Sequence, residues 1–179
     1  PSERAILSAR MTDRPIRPLF DKRQRNEVQI IITVLAADQE NLPDVLGTIG
    51  ASAALSISRI PFKGPVGSVR VGRIGGEFIL NPTASEMNES DLDLVVAGTR
   101  DGVIMMESGA QEMPEDVMME AIAFGEQGIL QMIELQEELV AQIKPEKAVI
   151  EYTPVDEELL AAVKEYETRI RDTIVNPDK

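Results

Sequence analysis

A cluster of basic side chains near the start of the chain is the feature best suited to binding chemistry. The 179-residue chain is acidic, with a net charge of −13, yet residues 1–25 carry a local charge of +4. The basic residues of this stretch are Arg4, Arg10, Arg14, Arg17, Lys22, Arg23 and Arg25. Arginine offers paired N–H donors that match phosphate or carboxylate oxygens. The cluster therefore predicts an anion-binding surface, with ion pairs to Glu3, Asp13 and Asp21 as the alternative.

Three of these arginines are regularly spaced. Arg10, Arg14 and Arg17 lie four and then three residues apart. Ser2 is a suitable N-cap, so the sequence predicts a short helix over residues 3–12. Pro15 and Pro18 favour an extended segment after that helix.

Asp91 and Asp93 are the second candidate for chemistry. Two residues apart on a predicted strand, they would share one face, and paired carboxylates can bind Mg²⁺. The alternative is a polar strand entrance whose aspartates bond turn amides. The chain has no histidine and no cysteine, which excludes disulfides, thiolate or imidazole metal sites and a histidine general base.

The elements that must position these groups form an α+β pattern. A β-branched apolar run over residues 28–37 predicts a buried strand. A helix over about residues 43–59 follows, with Asn41 as its cap. Two hairpins come next, one over residues 66–80 and one over residues 93–107, each with glycine in its turn.

The second half of the chain is predicted to be mostly helical. Residues 83–90 should form a turn or short helix, and a long helix should start near Pro114 and end at Pro145. A capping-box pattern from Thr153 to Asp156 predicts one more helix. No neighbouring element of the predicted fold is left to pack against the apolar face of this helix. No apolar run reaches transmembrane length, and no signal peptide is visible, so we expect a cytoplasmic protein without a membrane.

Several motifs in order resemble the first ribonuclease-PH-like half of bacterial polynucleotide phosphorylase, over roughly residues 1–145. They are PSERAILSARMTDRPIRPLF, NEVQIIITV, LNPT and DLDLVVAGTRDGVIMMES. The resemblance implies a ribonuclease-PH-like core with β-hairpins packed on helices, followed by a helical segment. It divides the chain into a core domain over 1–145, lacking its N-terminal strands, and a linker with the start of an all-helical domain over 146–179. We therefore expect a fragment of a longer chain.

The same resemblance implies an activity and partners for the parent enzyme. Such enzymes are phosphorolytic 3′–5′ exoribonucleases of mRNA degradation, which use inorganic phosphate and Mg²⁺ and release nucleoside diphosphates. They form homotrimers whose channel admits single-stranded RNA, and their two core halves lie in one chain. The resemblance makes Arg10, Arg14 and Arg17, with Arg4 behind them, the expected RNA- or phosphate-binding residues.

The catalytic half of the family carries an Asp, a second Asp six residues on, and a Lys two residues further. The matching positions here are Met87, Asp93 and Val95. A thioether is a poor ligand for a hard cation, and valine carries no charge. The serine run that cradles phosphate in that half corresponds to residues 42–44, Leu-Pro-Asp. The comparison implies that this half has no catalytic or metal-binding residue, and that Mg²⁺ binds in the other half.

Two other interpretations remain open. The chain could be a non-catalytic module for protein assembly, without RNA contact, whose arginines pair with a neighbour's carboxylates. It could also be an active single-domain ribonuclease PH. The presence of Met87 and Val95 where the catalytic half has an Asp and a Lys argues against this interpretation.

Overall fold

Four antiparallel strands form a sheet that lies between one long helix and a pair of shorter helices. The computed structural model describes residues 2–152 and 154–175, without the side chain of Arg4. The strands are β1 (Gly67–Ile74), β2 (Glu77–Leu80), β3 (Leu92–Thr99) and β4 (Gly102–Ala110), in the order β2-β1-β3-β4. The helices are α1 (Glu3–Ile16), α2 (Asp44–Ile57), α3 (Ala84–Met87), α4 (Glu115–Ile143), α5 (Glu157–Lys164) and α6 (Glu167–Ile174). The predicted α+β fold is confirmed.

Both predicted hairpins are present. β1 pairs with β2 from Val71–Leu80 to Ile74–Glu77, and the turn between them is Gly75-Gly76. These two glycines have φ of +59° and +91°, a conformation that residues with a Cβ rarely adopt and that matches the strand twist in a two-residue hairpin. The second hairpin joins β3 to β4.

The sheet has one apolar core on each face, because successive side chains of a strand point to opposite sides. Val69 and Val71 of β1 pack with Leu94 and Val96 of β3 on the face covered by α4. Gly125 of α4 makes the close approach possible, since a Cβ there would lie 3.1 Å from Val71 Cγ2. The predicted long helix is therefore confirmed, together with its role in the core.

Helices α1 and α2 cover the other face. Met11 and Leu55 pack there against Val95, Ala97 and other buried residues of the sheet. The β3–β4 ladder contains an irregularity between Ala97 and Gly98, because Ala97 pairs with Met105 whereas Gly98 pairs with Val103. This β-bulge lets Val103 pack on the α4 side while Met105 packs on the α1 side.

The prediction of an extended segment at Pro15 and Pro18 is wrong. Helix α1 continues through Pro15 to Ile16, and Pro18 lies in a 3₁₀ turn over Arg17–Leu19. A proline at position 15 cannot donate to the carbonyl of Met11, four residues earlier. The hydroxyl of Thr48 on α2 donates a long hydrogen bond of 3.5 Å to that carbonyl instead. The packing of α2 thus offsets part of the cost of the proline.

The predicted buried strand over residues 28–37 is also wrong. The segment forms no strand, and Ile31 and Leu35 are 78% and 93% exposed. A strand needs a neighbouring ladder, and no strand in the described residues lies beside this segment. Helix α2 begins at Asp44, close to the prediction, but Asn41 does not cap it. The Asn41 side chain bonds Asp38, and Pro43 holds the cap position without a side-chain hydrogen bond.

The helical segments near and after the hairpins mostly follow the prediction. Thr83 and Glu86 form a capping box at α3, and Lys144 ends α4 in the left-handed conformation, with φ of 50°. Asp156 caps α5, but the predicted last helix is two helices, α5 and α6, and Thr153 lies outside the described residues. The apolar side chains of α5 and α6 are exposed. Within residues 2–152 and 154–175, no helix combines the length and apolar character that crossing a membrane requires.

A lysine in the segment after α4 attaches this segment to the core. Lys147 Nζ donates to three backbone carbonyl oxygens at the end of α2, those of Leu55, Ser56 and Ser58, at 2.9, 2.8 and 2.9 Å. Burial lowers the pKa of Lys147, and the three carbonyls satisfy all three ammonium donors. The last turn of a helix has unsatisfied carbonyls and a partial negative charge, so a cation there is favourable.

Candidate anion-binding site

Helix α1 and the 3₁₀ turn after it carry the predicted row of arginines. Arg10, Arg14 and Arg17 are all exposed, and residues three and four apart lie on the same side of a helix. Because α1 continues to Ile16 instead of ending near residue 12, the three residues follow one helical path. The structure describes no side chain for Arg4, so the prediction for Arg4 lies outside the described part. Whether any of these residues binds an anion stays a prediction.

Arg17 is held by Asp13, one helical turn earlier. Its Nε lies 3.0 Å from Asp13 Oδ2 and its Nη2 lies 2.7 Å from Asp13 Oδ1. The Arg17 side chain is nevertheless 76% exposed. The carboxylate takes one edge of the guanidinium, and the edge formed by Nη1 and Nη2 still faces solvent.

The other two arginines are less constrained. Arg14 Nη1 lies 3.5 Å from Glu107 Oε2 of β4, and both side chains are partly exposed. Arg10 makes no ion pair within the part of the chain that the structure describes. The alternative of an ion pair with Asp13 is thus correct for Arg17, whereas Arg14 pairs with Glu107, which the sequence did not indicate. The arginine row keeps exposed donors.

Arg23 has a different environment. Its guanidinium bonds Asp21 at 2.9 Å and lies 4.4 Å from the ring centroid of Tyr152. The side-chain and backbone hydrogen bonds from Arg23 lower the pKa of Asp21 far below its usual value. Arg23 therefore joins the segment after α4 to the loop after α1, by a cation–π contact.

The sequence reasoning missed Arg70, the most buried cation among the side chains that the structure describes. Its Nη2 lies 2.8 Å from Asp44 Oδ2 at the start of α2, and its Nη1 bonds Asp93 of β3. The side chains of Arg70 and Asp44 are 10% and 12% exposed, and that of Asp93 is 45% exposed. We call this cluster the Arg70 bridge. A charged residue between Val69 and Val71 in an apolar strand was the signal that could have indicated it.

The Arg70 bridge occupies the place where the sequence located the remnants of a catalytic site. Asp93 was the one carboxylate left of the expected metal set, and Asp44 lies in the segment that replaces the serine run. Met87 ends α3, and Val95 is buried in the core at 3% exposure. Asp93 and Asp44 therefore share a guanidinium instead of facing an open space.

The paired carboxylates Asp91 and Asp93 do not act together. Asp91 bonds Arg73 at 3.1 Å, whereas Asp93 bonds Arg70. No group of three carboxylates placed to hold a metal ion occurs among the described residues. The donor set therefore does not fit Mg²⁺, because Asp91 is bound by Arg73, and Asp93 shares the Arg70 guanidinium with Asp44.

Comparison with known proteins adds independent information. Residues 1–61 match the model of the 3′ exoribonuclease family, domain 1, and residues 64–128 match that of domain 2. A polyribonucleotide nucleotidyltransferase of Heliobacterium modesticaldum is 52% identical over all of this chain and 25% of its own length. Those of Thermomicrobium roseum and Geobacillus kaustophilus are 52% and 49% identical, again over the whole chain. The chain spans about a quarter of the length of these curated relatives.

A solved structure has a similar fold. The crystal structure of Rrp46 from rice (Oryza sativa) superposes with a TM-score of 0.52 at 17% identity, covering 57% of this chain and 50% of that chain. At this identity the likeness concerns the fold alone. It supports the ribonuclease-PH-like arrangement that the sequence motifs implied.

Proposed function

The chain belongs to the 3′ exoribonuclease family, and from that premise we propose that it is the first core half of a polyribonucleotide nucleotidyltransferase. The parent enzyme would shorten RNA from its 3′ end. An oxygen of inorganic phosphate attacks the terminal phosphodiester, the bond to the preceding 3′ oxygen breaks, and a nucleoside diphosphate leaves. The shortened RNA keeps a free 3′ hydroxyl. The identities of about 50% over the whole chain support this assignment.

We infer that this segment is catalytically silent within that enzyme. The observation that carries the proposal is the Arg70 bridge, in which one guanidinium takes both Asp44 and Asp93. A nucleophilic phosphate would meet the negative Asp44 and find no amide donor at Pro43. In this proposal Mg²⁺ and inorganic phosphate bind in the second core half, and the present half supplies a scaffold.

The exposed arginines are the proposed RNA contact. Arg10, Arg14 and Arg17 form a basic row on a chain of net charge −13, where a local cation row attracts a polyanion more than the surrounding surface does. Combining this charge with the family assignment, we propose that the three arginines line the channel of a cytoplasmic homotrimer and contact single-stranded RNA. Arg10 is the most available of them, because it has no acidic partner among the described residues.

Charge reversal in the full-length enzyme tests the RNA role. Arg10→Glu should weaken single-stranded RNA binding by at least about tenfold and lower the magnitude of the salt slope by about 0.7 per lost phosphate contact. The control is Lys164→Glu on α5, an exposed cation far along the chain. If the reversals at Arg10, Arg14 and Arg17 leave affinity and salt slope unchanged while trimer assembly weakens, the assembly-module interpretation is correct.

A second substitution tests catalytic silence. Asp93→Asn in the full-length enzyme should leave the kcat of phosphorolysis within about twofold of the original once the folded fraction is matched, because the residue does not contact the reacting atoms. Asp91→Asn, whose carboxylate bonds Arg73, is the matched control for loss of an ion pair. A loss of kcat by a factor of about a thousand at Asp93 alone would place a catalytic metal in this half.

A further inference from the structure

The contact between Asp13 and Arg17 uses only one edge of the guanidinium. Asp13 accepts from Nε at 3.0 Å and from Nη2 at 2.7 and 2.9 Å. Nη1 has no hydrogen-bond partner within the described residues, and the side chain is 76% exposed. A guanidinium bound to a carboxylate through Nε and Nη2 can accept a second anion on its Nη1–Nη2 edge.

The backbone beneath this pair is rigid. Pro15 is buried and fixes φ in the last turn of α1, and Pro18 does the same in the 3₁₀ turn. Ile16 is 2% exposed and anchors the turn in the core. The remaining freedom at this point is the rotation of the long Arg17 side chain, and Asp13 restricts that rotation.

We propose that Asp13 is a positioning residue, which holds Arg17 so that its free edge faces a phosphodiester of single-stranded RNA. This inference rests on the proposed RNA role of the arginine row. Holding a flexible side chain in its bound geometry removes an ordering cost from the binding step. Glu107 differs, because it meets Arg14 through a single contact of 3.5 Å and leaves that guanidinium free to turn.

A positioning role for Asp13 and simple repulsion between Asp13 and RNA predict opposite changes in RNA affinity when Asp13 is neutralised. If Asp13 only repelled RNA, its neutralisation would tighten binding. If Asp13 orients Arg17, the substitution Asp13→Asn should weaken RNA binding about threefold, in the range that exposed ion pairs contribute. Glu107→Gln should leave affinity unchanged or raise it slightly, because only a negative charge is lost there.

The experiment is a double-mutant cycle in the full-length enzyme, with a fluorescent single-stranded oligoribonucleotide as the probe. Arg17→Ala should weaken binding about five- to tenfold, and Asp13→Asn together with Arg17→Ala should be no weaker than Arg17→Ala alone. The KM for RNA should follow these changes while the KM for inorganic phosphate stays constant. Glu137→Gln is the matched control, since Glu137 binds both Nε and Nη2 of Arg100 next to α4.

The outcomes separate the inference from its premise. If Arg17→Ala weakens binding but Asp13→Asn tightens it or leaves it unchanged, the positioning role is wrong and the RNA role of the row stands. An additive double variant also overturns the positioning role, because Asp13 would then act independently of Arg17. If neither Arg10→Ala nor Arg17→Ala changes RNA affinity, the premise and the inference are both wrong.

Discussion

Removal of the guanidinium at position 70 is the sharpest perturbation of this fold. Arg70→Met keeps an unbranched side chain of similar width in β1 but leaves the carboxylates of Asp44 and Asp93 without their shared cation. Breaking a buried ion pair by deleting one partner is strongly destabilising, because the other charge stays buried and uncompensated. We therefore expect the strands and the start of α2 to open more easily.

The exposed fractions of the Asp44 and Asp93 side chains determine how far the opening free energy should fall. Asp44 is 12% exposed, so the loss of its partner should cost about 3 kcal/mol, the lower end for buried pairs. Asp93 is 45% exposed, and solvent screening reduces its share to well under 1 kcal/mol. An opening free energy lower by about 3 kcal/mol corresponds to amide exchange that is roughly 150-fold faster.

Hydrogen exchange in the full-length protein measures this change locally. Amides of β1, β3 and the first turn of α2 should exchange faster in Arg70→Met, while α5, which does not contact the bridge, should be unchanged. Adding Asp44→Asn and Asp93→Asn should restore much of the protection, because the orphaned charges are gone. Unchanged exchange in Arg70→Met, or a triple variant that exchanges faster than the single one, would refute the reasoning.

Three further predictions concern packing, the linker and acid stability. Gly67→Ala should lower the unfolding free energy by about 2 kcal/mol, because its Cβ would lie 2.5 Å from the Ile129 carbonyl oxygen. Gly50→Ala, with open space around the added Cβ, should leave the unfolding free energy unchanged or raise it by up to about 1 kcal/mol. Thermal unfolding of both variants measures the difference. Lys147→Met should lower the unfolding free energy by about 2 kcal/mol, since three carbonyls lose their donor. It should also make residues 144–152 sensitive to limited proteolysis, and an unchanged digest would contradict this. Hydrogen bonds from Arg100 lower the pKa of Glu137 below the usual range of a glutamate. The stability from this pair is therefore complete at neutral pH and is lost in acid, as pH falls through the lowered pKa, and Glu137→Gln should flatten this acid decline in a pH series of melting temperatures.

Much of the fold could be predicted from local patterns. The glycine pair at 75–76, the alternation in β1 and the helical periodicity of α4 each involve residues close in sequence, so their signals survive without tertiary information. The capping box at α3 is of the same kind. The resemblance to ribonuclease-PH-like proteins added the class of fold, and the family comparisons confirm it.

Most of the missed features depend on contacts between distant parts of the chain. Pro15 leaves the Met11 carbonyl without its helical donor, and the long hydrogen bond that partly replaces it comes from Thr48, 33 residues after the proline. The apolar run over residues 28–37 has the composition of a strand, but a ladder needs a neighbour that the described residues do not provide. The arginines and Asp13, four residues before Arg17, were visible in the sequence, whereas Glu107, the partner of Arg14, comes close only through the packing of β4 beside α1.

The β-bulge beside Gly98 determines which side chains of β4 face α1. One additional residue in β4 changes which side chains face each layer, so Glu107 comes to lie beneath Arg14. Regular pairing continued from Gly98–Val103, without the bulge, would instead place Glu107 opposite Leu94, whose side chain faces α4, and would leave Arg14 without this carboxylate. The acidic partner of Arg14 is thus determined by the register of a hairpin arm more than 80 residues later in the sequence.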